Sequence, residues 1–143
     1  MRTIFISLFC IGFILACGSE ETNKSQRTSS SVFSPNEDSE LALLMRFMFD
    51  DMDRVRSELK AGKHPIISFP AKELFTAEPT DENQVSSDHY HLLGQAFLAA
   101  VNQFQQSDYS QLSEHYEILV ESCMSCHQHS CPGPMRRIRN LYL

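Results

Sequence analysis

The chain has 143 residues, a formal net charge of −6 and 42% apolar content. That length predicts one domain, and the apolar share excludes a wholly disordered chain. A pI near 5.4 leaves no basic face of the kind nucleic-acid binding needs, so no nucleic-acid partner is expected.

Ile4 to Leu15 is an uncharged, mainly apolar run preceded by Arg2. A membrane-spanning helix needs about 20 apolar residues, so this run instead has the length of a secretory h-region. Ile14-Leu15-Ala16-Cys17 follows at once. It resembles the bacterial lipoprotein box, in which the signal is cut before a cysteine that becomes lipidated. The resemblance implies that residues 1–16 are a lipoprotein signal peptide and that the exported chain begins at a lipidated Cys17. Several acyl chains would then hold it stably to a lipid bilayer. An ordinary cleaved signal with a chance cysteine is the alternative. Gly18 beside the cysteine is not the aspartate of inner-membrane retention, which favours the periplasmic face of an outer membrane. Residues 1–16 hold one basic residue and no acid, so the mature charge is 11 − 18 = −7. Residues 17–34 are polar and aperiodic, a flexible tether with a reach of roughly 20–25 Å.

Residues 35–143 are the expected domain. Ser34 suits the N-cap of a first helix, with Pro35 at its first position and Glu37 completing a capping box. Leu41, Met45, Met48, Met52, Val55 and Leu59 then alternate at spacings of four and three, a heptad seam. Gly62 and Pro65 end that helix. Pro70 to Ala77 predicts a short helix within an irregular stretch. Ser86-Ser87-Asp88 opens a second long helix with the seam Tyr90, Leu93, Phe97, Ala100 and Phe104. After a break at residues 107–110, a third carries Leu112, Tyr116, Leu119, Cys123 and Cys126. Cys131-Pro132-Gly133-Pro134 must stop it, because proline blocks continuation. No stretch alternates as a strand. The expected fold is all-α: three long helices and one short one, most simply an antiparallel four-helix bundle.

Cys123-Met124-Ser125-Cys126-His127 is C-x-x-C-H, the attachment signature of c-type haem. Thiols at i and i+3 share one helix face, where each can form a thioether to a haem vinyl group. His127 then presents its imidazole to the iron as the proximal ligand. The chain's own Cys and His frequencies give about 0.007 chance occurrences, which argues against coincidence. A thioredoxin-like C-x-x-C would need a βαβ context. A zinc cluster of these cysteines with Cys131 and His127 or His129 would be crowded onto one helix. Since Cys123 and Cys126 fall on the seam, a haem attached there would face the interior.

A haem attached near the C-terminus of an all-α chain resembles the cytochrome c-prime family, the class II c-type cytochromes. The resemblance covers residues 36–131 and rests on one strong motif plus topology. It implies that the first helix supplies the group over the distal haem face. In low-spin members that group is a methionine; in gas-binding members an apolar side chain covers an open iron. Leu44-Met45-Arg46 is similar to the Leu-Met-basic pattern of Met-ligated members, which implies Met45 as the distal iron ligand, with Met48 as the alternative. Core filling is the other reading of both methionines. Met135 follows His127 too closely to reach the opposite face. The chain departs from the family where basic residues often stand: Leu41 and Cys131 occupy those positions. Arg46, Arg136, Arg137 and Arg139 are the remaining propionate partners, or else a solvated basic tail. His64, His89, His91, His115 and His129 lie off the seams, which leaves a bis-His haem as a minor alternative.

The expected function is therefore a c-type cytochrome with one covalent haem c, transferring electrons in the periplasm or at the outer cell surface. The competing readings are a five-coordinate cytochrome c-prime binding nitric oxide or carbon monoxide, and a lipoprotein with a C-terminal metal cluster. Nothing supplies a substrate pocket, so no enzyme activity is expected. The acidic charge suits a redox protein partner with a basic patch. Cys10 leaves with the signal, and Cys131 is left either as a free thiol or paired with another chain in a homodimer.

Overall fold

The computed structural model describes residues 38–143. Cys17, the signal, the tether and the expected cap residues Ser34, Pro35 and Glu37 lie outside them. The described residues are helical, with no strand: α1 Glu40–Lys60, α2 Glu82–Val85, α3 Asp88–Gln105, α4 Leu112–Ser130 and α5 Met135–Ile138. Three 3₁₀ turns, Ala71–Phe75, Tyr109–Gln111 and Arg139–Leu141, join or extend them. No helix among the described residues is long and apolar enough to cross a membrane.

The first helix begins later than expected. Its cap is Ser39, whose side chain accepts from the Ala42 N–H at 3.2 Å. Tertiary bonds select this start. Ser39 Oγ lies 2.9 Å from Thr80 Oγ1, and the Leu41 N–H donates to the Glu78 carbonyl at 2.9 Å. The other end follows the sequence. Gly62 has φ +69°, and the Lys63 N–H reaches back to the Glu58 carbonyl at 2.9 Å, which completes a Schellman stop. Ser87 caps α3, accepting from the Tyr90 N–H at 3.1 Å.

The seams become the core. Met48, Met52 and Val55 of α1 are buried, with Leu41, Met45 and Leu59 packed at its margin. Tyr90, Phe97, Ala100 and Phe104 of α3 and Leu112, Tyr116 and Leu119 of α4 complete it. The helices α3 and α4 pack most extensively on each other, and α1 meets α4 and the 71–75 turn. Gly94 allows that turn to approach: a Cβ there would lie 2.7 Å from the Phe75 ring.

The stretch before the turn is irregular, yet it is tied down. Asp51 is 5% exposed and accepts from the Ser68 N–H at 2.8 Å, the Ser68 hydroxyl at 2.6 Å and Arg54 at 2.7 Å. Burial pushes its carboxyl up, but the donors from Ser68 and Arg54 outweigh that and hold it below the usual carboxylate range. Pro65, Ile67 and Phe69 are buried while Ile66 and Ser68 are exposed. This alternation arises without a partner strand, because Asp51 and Arg54 supply the backbone partners a strand would have given.

The C-terminal residues differ from expectation. Beyond the proline break the chain is not only a solvated basic tail: it turns back as α5 and a 3₁₀ turn that bury Ile138 and Leu141. Tyr116, 0% exposed, binds this return, its hydroxyl lying 2.8 Å from the Leu141 carbonyl and 3.2 Å from that of Met52.

Candidate functional site

The α4 helix changes character along its length. Leu112, Tyr116, Leu119 and Val120 are buried, whereas no residue from Glu121 to Ser130 is. On the inward face the cause is a cleft. Cys123, Cys126 and His127 form one wall of a space of about 560 Å³, part of it open to solvent. Apolar side chains make up nearly all of its lining. Met45, Met48 and Met52 of α1 line the same cleft, with Phe69, Leu74 and Phe97 beside them and Ile138 and Leu141 from the C-terminal return. The rings of Phe69 and Phe97 stack there with centroids 6.1 Å apart.

The two thiols sit on this wall because they are three residues apart on one helix. Burial pushes the Cys123 thiol up to about 12, and burial likewise raises Cys126. Both are therefore held as thiols in apolar surroundings.

His127 is oriented by the end of its own helix. Its Nδ1 lies 3.0 Å from the Cys131 carbonyl, while the Cys131 N–H donates to the His127 carbonyl at 3.1 Å. A carbonyl only accepts, so Nδ1 carries the proton. With Nδ1 engaged, Nε2 is the nitrogen left to ligate a metal. The proline break is what bends the chain so that Cys131 can accept. Fixing a ligand through its second nitrogen is the usual way a metal-binding histidine is oriented.

Met45 and Met48 both reach this region, but differently. Met48 is buried and lines the one cleft. Met45 is half-buried and shares with His127 the cleft and two adjoining spaces, one beside Val85 and Tyr90 and one beside α5. Met135 lines none of these.

Three of the four arginines gather at the open side. Arg46, Arg136 and Arg137 border the space beside α5 with Met45 and His127; Arg139 does not. Arg46 is held by Asp38 through two bonds, the longer 2.6 Å, and this lowers the Asp38 carboxyl. Arg137 lies 3.9 Å over the Phe49 ring and 3.2 Å from Asp50. Arg136 makes no ion pair among the described residues.

The remaining histidines are elsewhere. His64, His89, His91 and His129 are exposed. His115 is half-buried and bonded to Ser107. None of them lines the cleft with His127. Among the described residues no three His, Cys, Asp or Glu side chains come together as a metal-holding group, so the Cys/His cluster weighed above does not assemble. Cys131 lines the two adjoining spaces rather than the cleft.

Phe69, Leu74, Ile138 and Leu141 were not legible as site residues. The spacing of Ile138 and Leu141, with Met135 three residues earlier, was the one signal available for the return.

By its described residues the chain is an all-helical domain whose last long helix opens on an apolar cleft. No family model matches it, and neither does any curated protein or solved structure.

Proposed function

We propose that this chain is a c-type cytochrome that carries one haem c on Cys123, Cys126 and His127 and transfers electrons. The observation that carries the reading is the convergence of C-x-x-C-H and two methionine thioethers on one apolar cleft. The donor set fits the group. Two thiols on one helix face suit thioether bonds to the two vinyl carbons, and an imidazole with a free Nε2 suits the iron. When bound, haem supplies a one-electron couple. The chain's residues would do the rest: Cys123 and Cys126 would hold the group covalently, His127 would ligate its iron, and Phe69, Phe97, Ile138 and Leu141 would exclude water. Met45 is the distal ligand in this reading, with Met48 the alternative, and a soft thioether there raises the potential relative to a second histidine. Arg46, Arg136 and Arg137 stand where carboxylates leaving the cleft beside α5 would be neutralised.

In this reading the chain would be a low-spin member of the cytochrome c-prime family, its long helices forming a four-helix bundle. The 71–75 turn takes the place of the short helix. Export and lipidation at Cys17 belong to the same proposal, because covalent haem attachment of this type needs an exported chain. An acidic surface would meet a redox partner with a basic patch.

The optical spectrum of the reduced protein, with and without carbon monoxide, is the test. A low-spin c-type spectrum unchanged by carbon monoxide is expected. A covalent haem that takes up carbon monoxide freely would instead leave the sixth position open and favour gas binding. A chain with no haem after expression alongside a haem-attachment system would refute the cytochrome reading. For the anchor, Cys17→Ala should move the protein from membrane to soluble periplasm with no spectral change. Equal recovery of both forms in the soluble fraction would remove the lipoprotein reading alone.

A further inference from the structure

Outside the cleft, one metal-binding side chain faces another across two helices. The ring centroids of His89, in the first turn of α3, and His129, in the last turn of α4, lie 4.6 Å apart at 63°. Both residues are exposed. We propose that His89 and His129 form a surface site for one divalent transition-metal cation of the copper or nickel type.

The spacing is that of a chelate. Two imidazoles bound to one ion at right angles through metal–nitrogen bonds of about 2.1 Å have ring centres about 4.5 Å apart. One ring is already oriented. His129 Nδ1 lies 2.9 Å from the Ser125 carbonyl, so that nitrogen carries the proton and Nε2 holds the lone pair. This is the second-nitrogen fixation that metal-bound histidines use.

The other four histidines offer no such pair. His91 is stacked on Phe75 at 5.8 Å, His115 is bonded to Ser107, His127 faces the cleft and His64 has no histidine against it. The field is favourable too. His129 lies in the last turn of α4, at the negative end of the helix dipole, which favours a cation. Asp88, adjacent to His89, offsets the opposite polarity of the α3 start, and the whole chain is acidic.

The kind of ion follows from what is missing. No third His, Cys, Asp or Glu joins the pair among the described residues, so water must fill the rest of the shell. Structural zinc takes four protein ligands, whereas nickel and copper accept imidazole and water in square or octahedral geometry. The ion would tie the start of α3 to the end of α4, beside the helix segment that carries Cys126 and His127.

Calorimetric titration of the full chain with nickel chloride tests this. One equivalent should bind. His89→Gln and His129→Gln should each weaken binding about tenfold or more, because either change destroys the chelate. The double variant should then be little weaker than either single one, the mark of two ligands acting on one ion. His64→Gln should bind as the unmodified chain does. Binding that survives both single changes would overturn the site and assign the nickel to the cysteines. No saturable binding in the unmodified chain would reduce the pair to edge-to-face ring packing. Both comparisons are made within one background, so neither outcome depends on whether haem is attached.

Discussion

The two halves of α4 obey different rules. From Leu112 to Val120 the helix is part of a closed core: Tyr116 and Leu119 are 0% exposed, and the Tyr116 hydroxyl is satisfied by backbone carbonyls of α1 and the C-terminal return. From Glu121 to Ser130 the same seam continues, yet Cys123 and Cys126 remain half-buried against a cleft. An apolar wall left uncovered forgoes the burial and contacts that stabilise the first half. The closed half is a packed core, and the open half forms one wall of the apolar cleft.

The strongest break of this contrast is chemical. Replacing both Cys123 and Cys126 by alanine should abolish covalent haem, read as loss of colour retained after acid-acetone extraction. Haem that still resists extraction would put the attachment elsewhere.

Next come the two methionines offered as ligands of the proposed haem. Met45→Ala should turn a low-spin spectrum into a high-spin one that binds carbon monoxide. Met48→Ala should leave the spectrum nearly unchanged and cost about 2–5 kcal/mol, since its side chain is 7% exposed and leaves a cavity. The opposite pattern would exchange their roles.

The contrast within α4 is measurable in denaturant. Leu119→Ala, in the closed half, should cost about 2–5 kcal/mol. Met124→Ala, in the open half, removes a half-buried side chain and should cost about 1 kcal/mol. Equal losses would mean that the two halves are packed alike.

Gly94→Ala sets two terms against each other. Alanine gains about 1 kcal/mol of helix propensity over glycine. Its methyl would meet the Phe75 ring at 2.7 Å and Leu74 at 3.2 Å, and overpacking costs about 1–3 kcal/mol. A small net loss is expected, with altered near-ultraviolet dichroism as the turn shifts. A clear gain in stability would show that the turn yields freely.

The smallest effect is in alkali. Burial pushes the Tyr90 hydroxyl up to about 12, and it donates to the Leu74 carbonyl at 2.7 Å. The unfolded phenol ionises near 10, so this contribution is intact below pH 10 and is lost as pH rises toward 12. Tyr90→Phe should therefore flatten the fall in stability between those limits, at a cost of about 1 kcal/mol at neutral pH. An unchanged alkaline slope would place the titrating group elsewhere.

Much of the site was legible in the sequence because helices carry their geometry locally. Three residues separate Cys123 from Cys126, and 3.6 residues per turn puts them on one face wherever the helix lies. The same arithmetic aligned Met45, Met48 and Met52, and Gly62 was the stop for a left-handed residue that its φ of +69° requires. The start of α1 was not legible, because Ser34 and Ser39 both precede suitable turns. Ser39 is the cap because Thr80 and Glu78, some forty residues on, bind that end.

By itself, then, the sequence determined the periodic parts of this protein: three long helices, their inward faces and the C-x-x-C-H wall. Each depends on residues within a turn or two of one another. Tertiary structure alone decided that the basic C-terminus folds back to bury Ile138 and Leu141. It also decided that Asp51 holds an irregular segment through Ser68, and that His89 meets His129. Those outcomes join residues far apart in the chain, where no local period carries information and only the competition to bury apolar surface and satisfy buried polar groups sets the partner.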